Sequence, residues 1–189
     1  MMDKADPMKD LRFLRGQVLP RHREILLSWV PLAALVLGGA VTAVAPGLPV
    51  GAMPISTILS NGFTFASIAM GACISAIVLS LGLPGAERLR RWACEPGTVP
   101  GKSALSDLVF VIVWAALAQL LLIMVCVAAL LFGGDLPLAP SPMIASHAFG
   151  LWVGLAAFFY AVLELFVVVT TLLQMGVMII AEEQREVPE

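Results

Sequence analysis

Apolar residues run almost unbroken through four stretches of this chain, separated by short segments rich in Pro, Gly or charge. No charged residue occurs from Ile25 to Ala86, and none from Leu108 to Gly134. A membrane span takes about 20 mostly apolar residues, so the first run is long enough for two. The pattern predicts spans at 24–45, 59–83, 108–132 and 148–180. The fourth is too long for one straight crossing and either tilts or continues past the bilayer as a helix. The expected fold class is an all-α integral membrane protein, a bundle of four transmembrane helices with an amphipathic N-terminal interfacial helix. Residues 1–23 form the cytoplasmic N-terminal segment, 24–181 the transmembrane domain and 182–189 a cytoplasmic tail.

The N-terminal helix is predicted over Asp6–Leu19, with Asp6 as cap, Pro7 at the first helical position and Pro20 as the stop. Met8, Leu11, Leu14 and Val18 share one face, while Lys9, Arg12 and Arg15 lie off it. A basic amphipathic helix next to a span lies in the headgroup plane; the simpler alternative is a disordered basic leader. Ala86–Cys94 repeats the chemistry, with Arg88, Arg90 and Arg91 beside Leu89 and Trp92. It reads as a short interfacial helix that contacts lipid or docks a cytosolic partner. The other two connections carry prolines (Pro46, Pro49, Pro54, then Pro137, Pro140, Pro142) and only Asp135 as a charge, which suits stiff connectors.

Charge then gives a direction. Of the eleven Lys and Arg residues, six precede the first span (Lys4, Lys9, Arg12, Arg15, Arg21, Arg23). Four lie between the second and third spans (Arg88, Arg90, Arg91, Lys102), and Arg185 follows the fourth. The two remaining connections have none, so the positive-inside rule puts both termini in the cytoplasm of a bacterial inner membrane. A secretory signal competes for the first segment, because Ala43-Val44-Ala45 imitates a cleavage site. Pro46 would follow the cut and block it, so the segment is taken as a retained span.

Within the spans, polar groups are costly and mark candidate sites. Glu164 is the one acidic residue well inside a span. Tyr160, Thr171 and Gln174 fall on nearly the same helical face, making a polar stripe, and Gln119 on the third span is a candidate hydrogen-bond partner for Glu164. One reading is a proton- or ion-responsive site, or the lining of a pore built from several copies. Another is a protonated, purely structural Glu; a third is a shifted helix that brings Glu164 to outer water. Ser67, Gly71 and Ser75, with Gly62 and Ala66 in a neighbouring row, and Gly150 with Gly154, are small-residue rows that let helices approach closely in lipid. Trp29, Trp92 and Trp152 suit an aromatic belt near the interfaces, with Trp114 set deeper.

Several chemistries are excluded. His22 and His147 lie outside the span centres, so bis-histidine haem is not possible. Cys73, Cys94 and Cys126 have no Cys-x-x-Cys spacing and no setting for a disulfide. No His-Glu-x-x-His, Gly-x-Ser-x-Gly or phosphate-cradling Gly loop occurs. The segments between spans are too short to bury a core of their own. No catalytic, cofactor-binding or metal residue is assigned, an enzyme is not expected, and neither is direct nucleic-acid binding. The lipid bilayer, further copies of the chain and a cytosolic protein are the expected partners.

In length, span number, cytoplasmic ends and lack of a soluble domain, the layout resembles the small four-span membrane proteins of bacterial anti-phage systems, such as the membrane subunit of the Kiwa system. The resemblance implies a homo-oligomer that senses membrane disturbance and recruits a cytosolic partner. A proton- or ion-conducting channel using Glu164, and an accessory subunit of a larger membrane complex, are the alternatives.

Overall fold

Continuous runs of Leu, Ile, Val and Ala satisfy their own backbone hydrogen bonds in lipid only as helices, and helices account for most of the described backbone. A computed structural model describes Arg21, Ile25 and residues 28–82, 84–97, 100–133, 137–140 and 142–186. The five named helices are α1 (Trp29–Val44), α2 (Ile55–Gly82), α3 (Gly85–Cys94), α4 (Ala104–Gly133) and α5 (Ala145–Glu186). All but α3 are long and apolar enough, α1 with the short turn after it, to cross a membrane. The fold is the expected all-α bundle. The expected helix at Asp6–Leu19, with Lys9, Arg12 and Arg15, lies outside the described residues.

The boundaries differ from expectation in informative ways. α2 starts four residues before the expected 59, and α4 starts at Ala104 because Ser103 caps it, its hydroxyl accepting from the Ser106 N–H at 3.3 Å. α5 runs through 42 residues to Glu186, so the expected tail at 182–189 begins as helix. At 1.5 Å per residue it is about 63 Å long, twice a hydrocarbon core of about 30 Å. Tilt alone cannot absorb that length, so α5 continues past the bilayer. α3 confirms the expected short helix, opened by Gly85 at φ 74, a left-handed backbone that a Cβ would strain.

The core belongs to α2, α4 and α5. α2 buries Ala66, Ala69, Cys73, Ala76 and Ser80, one stripe at alternating three- and four-residue spacing. Cys73 and Ala76 meet Ile112, Ala115 and Val168, while Ala66 meets Leu122, Cys126 and Ala161. The row Ser67, Gly71, Ser75 points elsewhere: the serine hydroxyls bond back to Phe63 and Gly71 carbonyls on their own helix, and nothing lies within 4 Å of a Cβ at Gly71. Gly150 and Gly154 likewise meet no other helix. Within one chain, the neighbouring row begun by Gly62 and Ala66 does the packing, with a Gly62 Cβ 3.3 Å from Cys126 Sγ.

α1 packs chiefly on α5, and Gly38 is where they come closest. A Cβ there would stand 2.8 Å from the Ala156 backbone nitrogen and 3.0 Å from its Cα. The Trp152 indole N–H donates to the Leu35 carbonyl at 3.0 Å and holds the same pair of helices. Gly38→Val should force α1 and α5 apart and cost about 1–3 kcal/mol, read as earlier unfolding in detergent. Gly71→Ala, with open space around it, should leave the fold intact; equal damage from both would contradict the packing. At the end of the bundle away from α3, the two Pro-rich connections are tied together. Leu138 N–H donates to the Met53 carbonyl at 2.8 Å, and His147 Nε2 donates to the Leu138 carbonyl at 2.8 Å.

Candidate functional site

Because α1 leans on α5 and not on α4, a gap opens between α1 and α4 at the α3 end of the bundle, with α5 as its floor. This cleft holds about 270 Å³. Its lining includes Arg21, Trp29, Asp107, Phe110, Trp114 and Glu164. Three charged and three aromatic side chains therefore converge on one place.

The mouth is formed by an ion pair that sequence reasoning did not anticipate. The Arg21 guanidinium pairs with the Asp107 carboxylate in the first turn of α4 and lies 4.3 Å from the centroid of the Phe110 ring. Arg21, expected in the cytoplasmic N-terminal segment, is only 2% exposed. The backbone of the turn before α4 supports Asp107 closely, since a Cβ at Gly97 would come 2.5 Å from Asp107 Oδ2. Gly97 N–H donates to the Lys102 carbonyl at 2.7 Å, which closes that turn.

Deeper in the cleft stands Glu164, 7% exposed. Beside its carboxyl stand the Tyr160 hydroxyl, one turn earlier on α5, and the Trp114 indole on α4. Trp114 Nε1 also donates to the Tyr160 oxygen at 2.7 Å. The tyrosine thus accepts from the indole and has its own proton free for the carboxylate. Trp114 lies seven residues beyond Asp107, about 10 Å along the helix. Glu164 is therefore in the half of the bundle near α3, not at its midplane, and about 10 Å inside the Arg21–Asp107 pair.

Gln119 is not its partner. The Gln119 amide nitrogen donates to the Ala161 carbonyl at 2.7 Å, and its oxygen is buried with no hydrogen bond. The expected polar stripe is also shorter than its periodicity implied. Thr171 turns its hydroxyl back onto the Val167 carbonyl at 2.8 Å, and Gln174 is exposed. Only Tyr160 and Glu164 of that stripe join the site. The partner that reasoning missed, Trp114, carried a usable signal: it was the one Trp set deeper than the belt.

Around α3, Arg90 and Arg91 are exposed, while Arg88 is half-buried. A surface hollow of about 480 Å³ there is lined by Arg90 and Arg91 together with Glu87 and Glu95, so it carries no net sign. Chemically, the Glu164 cleft stands out: one carboxyl with neutral donors, reached past a neutralised ion pair, can take up a proton or a cation. Comparison with known proteins gives no family model, no curated protein and no solved structure that matches the chain.

Proposed function

We propose that this chain is a non-enzymatic, self-assembling protein of the bacterial inner membrane. It acts as a membrane platform whose Glu164 cleft is the responsive element, and its basic cytoplasmic face recruits a cytosolic partner. The observation that carries the reading is the cleft itself: Glu164 held by Trp114 and Tyr160 behind the Arg21–Asp107 pair. A buried intramembrane carboxyl is retained at a cost that ordinary packing does not repay. Self-assembly is supported by how little each helix buries. Only 22–33% of each spanning window is covered within one chain, and Ser67, Gly71 and Ser75 face outward on α2, available to another copy. The layout's resemblance to anti-phage membrane subunits gives the platform a setting in antiviral defence.

A mass measurement of the purified protein in nanodiscs should give one defined homo-oligomer; a monomer would overturn self-assembly. Both termini and the α3 connection are placed in the cytoplasm by the distribution of Lys and Arg. Cys94, exposed and unpaired in a disulfide, should therefore react in intact cells only with membrane-permeant thiol reagents. Labelling by an impermeant maleimide would reverse the orientation. A second reading, conduction of protons or ions, is favoured by the path from Asp107 to Glu164. Proteoliposomes that show a pH- or cation-driven flux, lost in Glu164→Gln, would establish it in place of the platform.

A further inference from the structure

Arg21 is 2% exposed, yet its Nε–H, beside the cleft, has no acceptor among the described residues. A buried donor left unmade in this way is unfavourable, and it marks a place where a ligand oxygen fits. About 10 Å deeper, Glu164 stands beside the neutral Tyr160 hydroxyl and Trp114 indole and, among the described residues, has no cation next to it. Trp29, Phe110 and Trp114 supply aromatic walls between the two, and the rest of the lining is mostly aliphatic.

The geometry points to a binding site for a small amphipathic organic cation that carries an acceptor oxygen. Its ammonium group sits against Glu164 beside Trp114, and its oxygen accepts from Arg21 Nε. The charges decide the class. Arg21 and Asp107 cancel, which leaves Glu164 as the uncompensated charge, and aromatic faces attract a cation most strongly where water is excluded. An anion at Arg21 would instead stand beside the Asp107 carboxylate. The volume of about 270 Å³ is just below the roughly 300 Å³ at which sites for drug-sized ligands begin. It suits one aromatic ring with a short amine chain. This ligand rests on the reading of the cleft as the responsive element and gives that element a chemical class.

Choline phenyl ether is a suitable probe, because its charge is permanent and pH then acts through the protein alone. Among the described residues, the charged and titratable groups around Glu164 are Tyr160 on α5, Asp107 on α4 and Arg21 ahead of α1, with Cys73 of α2 in the adjoining core. Proton and cation compete for the carboxylate, so binding should tighten as pH rises until Glu164 is ionised, then level off. In nanodiscs the probe should perturb tryptophan fluorescence saturably. The neutral carbon isostere, 3,3-dimethylbutyl phenyl ether, should bind about tenfold more weakly or worse, and phenoxyacetate should bind more weakly still. Glu164→Gln should erase the preference for charge, and Glu164→Asp should keep it. No saturable binding, equal binding of the isostere, a preference for phenoxyacetate, or an unchanged preference in Glu164→Gln would each overturn the site. The wild-type selectivity series decides the matter even if a variant fails to fold. Oligomer mass read on the same sample separates loss of the ligand site from loss of the assembly.

Discussion

Asp107→Ala should be the most destabilising single substitution in the polar half of this bundle, by about 3–5 kcal/mol. The change strands the Arg21 guanidinium, whose side chain is 3% exposed, while the Asp107 side chain is 19% exposed. That asymmetry orders the mutants. Without Asp107, Arg21 keeps, among the described residues, only the Phe110 ring, and a cation–π contact contributes about 0.5–2 kcal/mol, too little to hold a desolvated guanidinium. Without Arg21, the more exposed carboxylate can still hydrate, so Arg21→Leu should cost less, about 1–3 kcal/mol. Replacing both by Leu should come close to wild type, because removing a whole buried pair is often neutral. Unfolding in mixed micelles gives the order directly. If Asp107→Ala unfolds with wild type, the pair is a solvated surface contact and the mouth of the cleft is not fixed by it.

The spans were legible because lipid leaves the chain a single option: charge-free runs become helices, and the Pro- and Gly-rich segments between them end them. Faces were not legible for the same reason. In a soluble helix the polar side identifies the core by contrast, whereas in lipid the outward and inward residues are chemically alike. α2 carries two small-residue rows side by side, and periodicity has no means of choosing Gly62–Ala66–Cys73 over Ser67–Gly71–Ser75. The Arg21–Asp107 pair was hidden because each residue reads as an ordinary boundary charge, 86 positions from the other. Glu164 was visible as the one acid well inside an expected span. Its partner was misassigned because the apolar pattern does not carry the register of α5 against α4: Gln119 meets Ala161, and Glu164, one turn further on, falls beside Trp114.

Glu164 and Gln119 therefore form a natural pair of experiments, two buried polar groups about one helical turn apart with opposite expected outcomes. Gln119 spends its amide nitrogen on the Ala161 carbonyl and leaves its oxygen unpaired. Gln119→Leu removes a modest hydrogen bond and an unsatisfied atom together, so stability should change by less than about 1 kcal/mol. Glu164→Leu instead leaves the Tyr160 proton without its carboxyl acceptor, although the Trp114 N–H still has the tyrosine oxygen. The loss should be about 1–3 kcal/mol, with any response to protons or cations abolished. Glu164→Gln distinguishes structure from function, because the amide oxygen can still accept from Tyr160. Assembly and stability should survive that change while the response disappears. Should Glu164→Gln retain both assembly and response, Glu164 is a neutral structural group, and the cleft's function must lie with the Arg21–Asp107 pair.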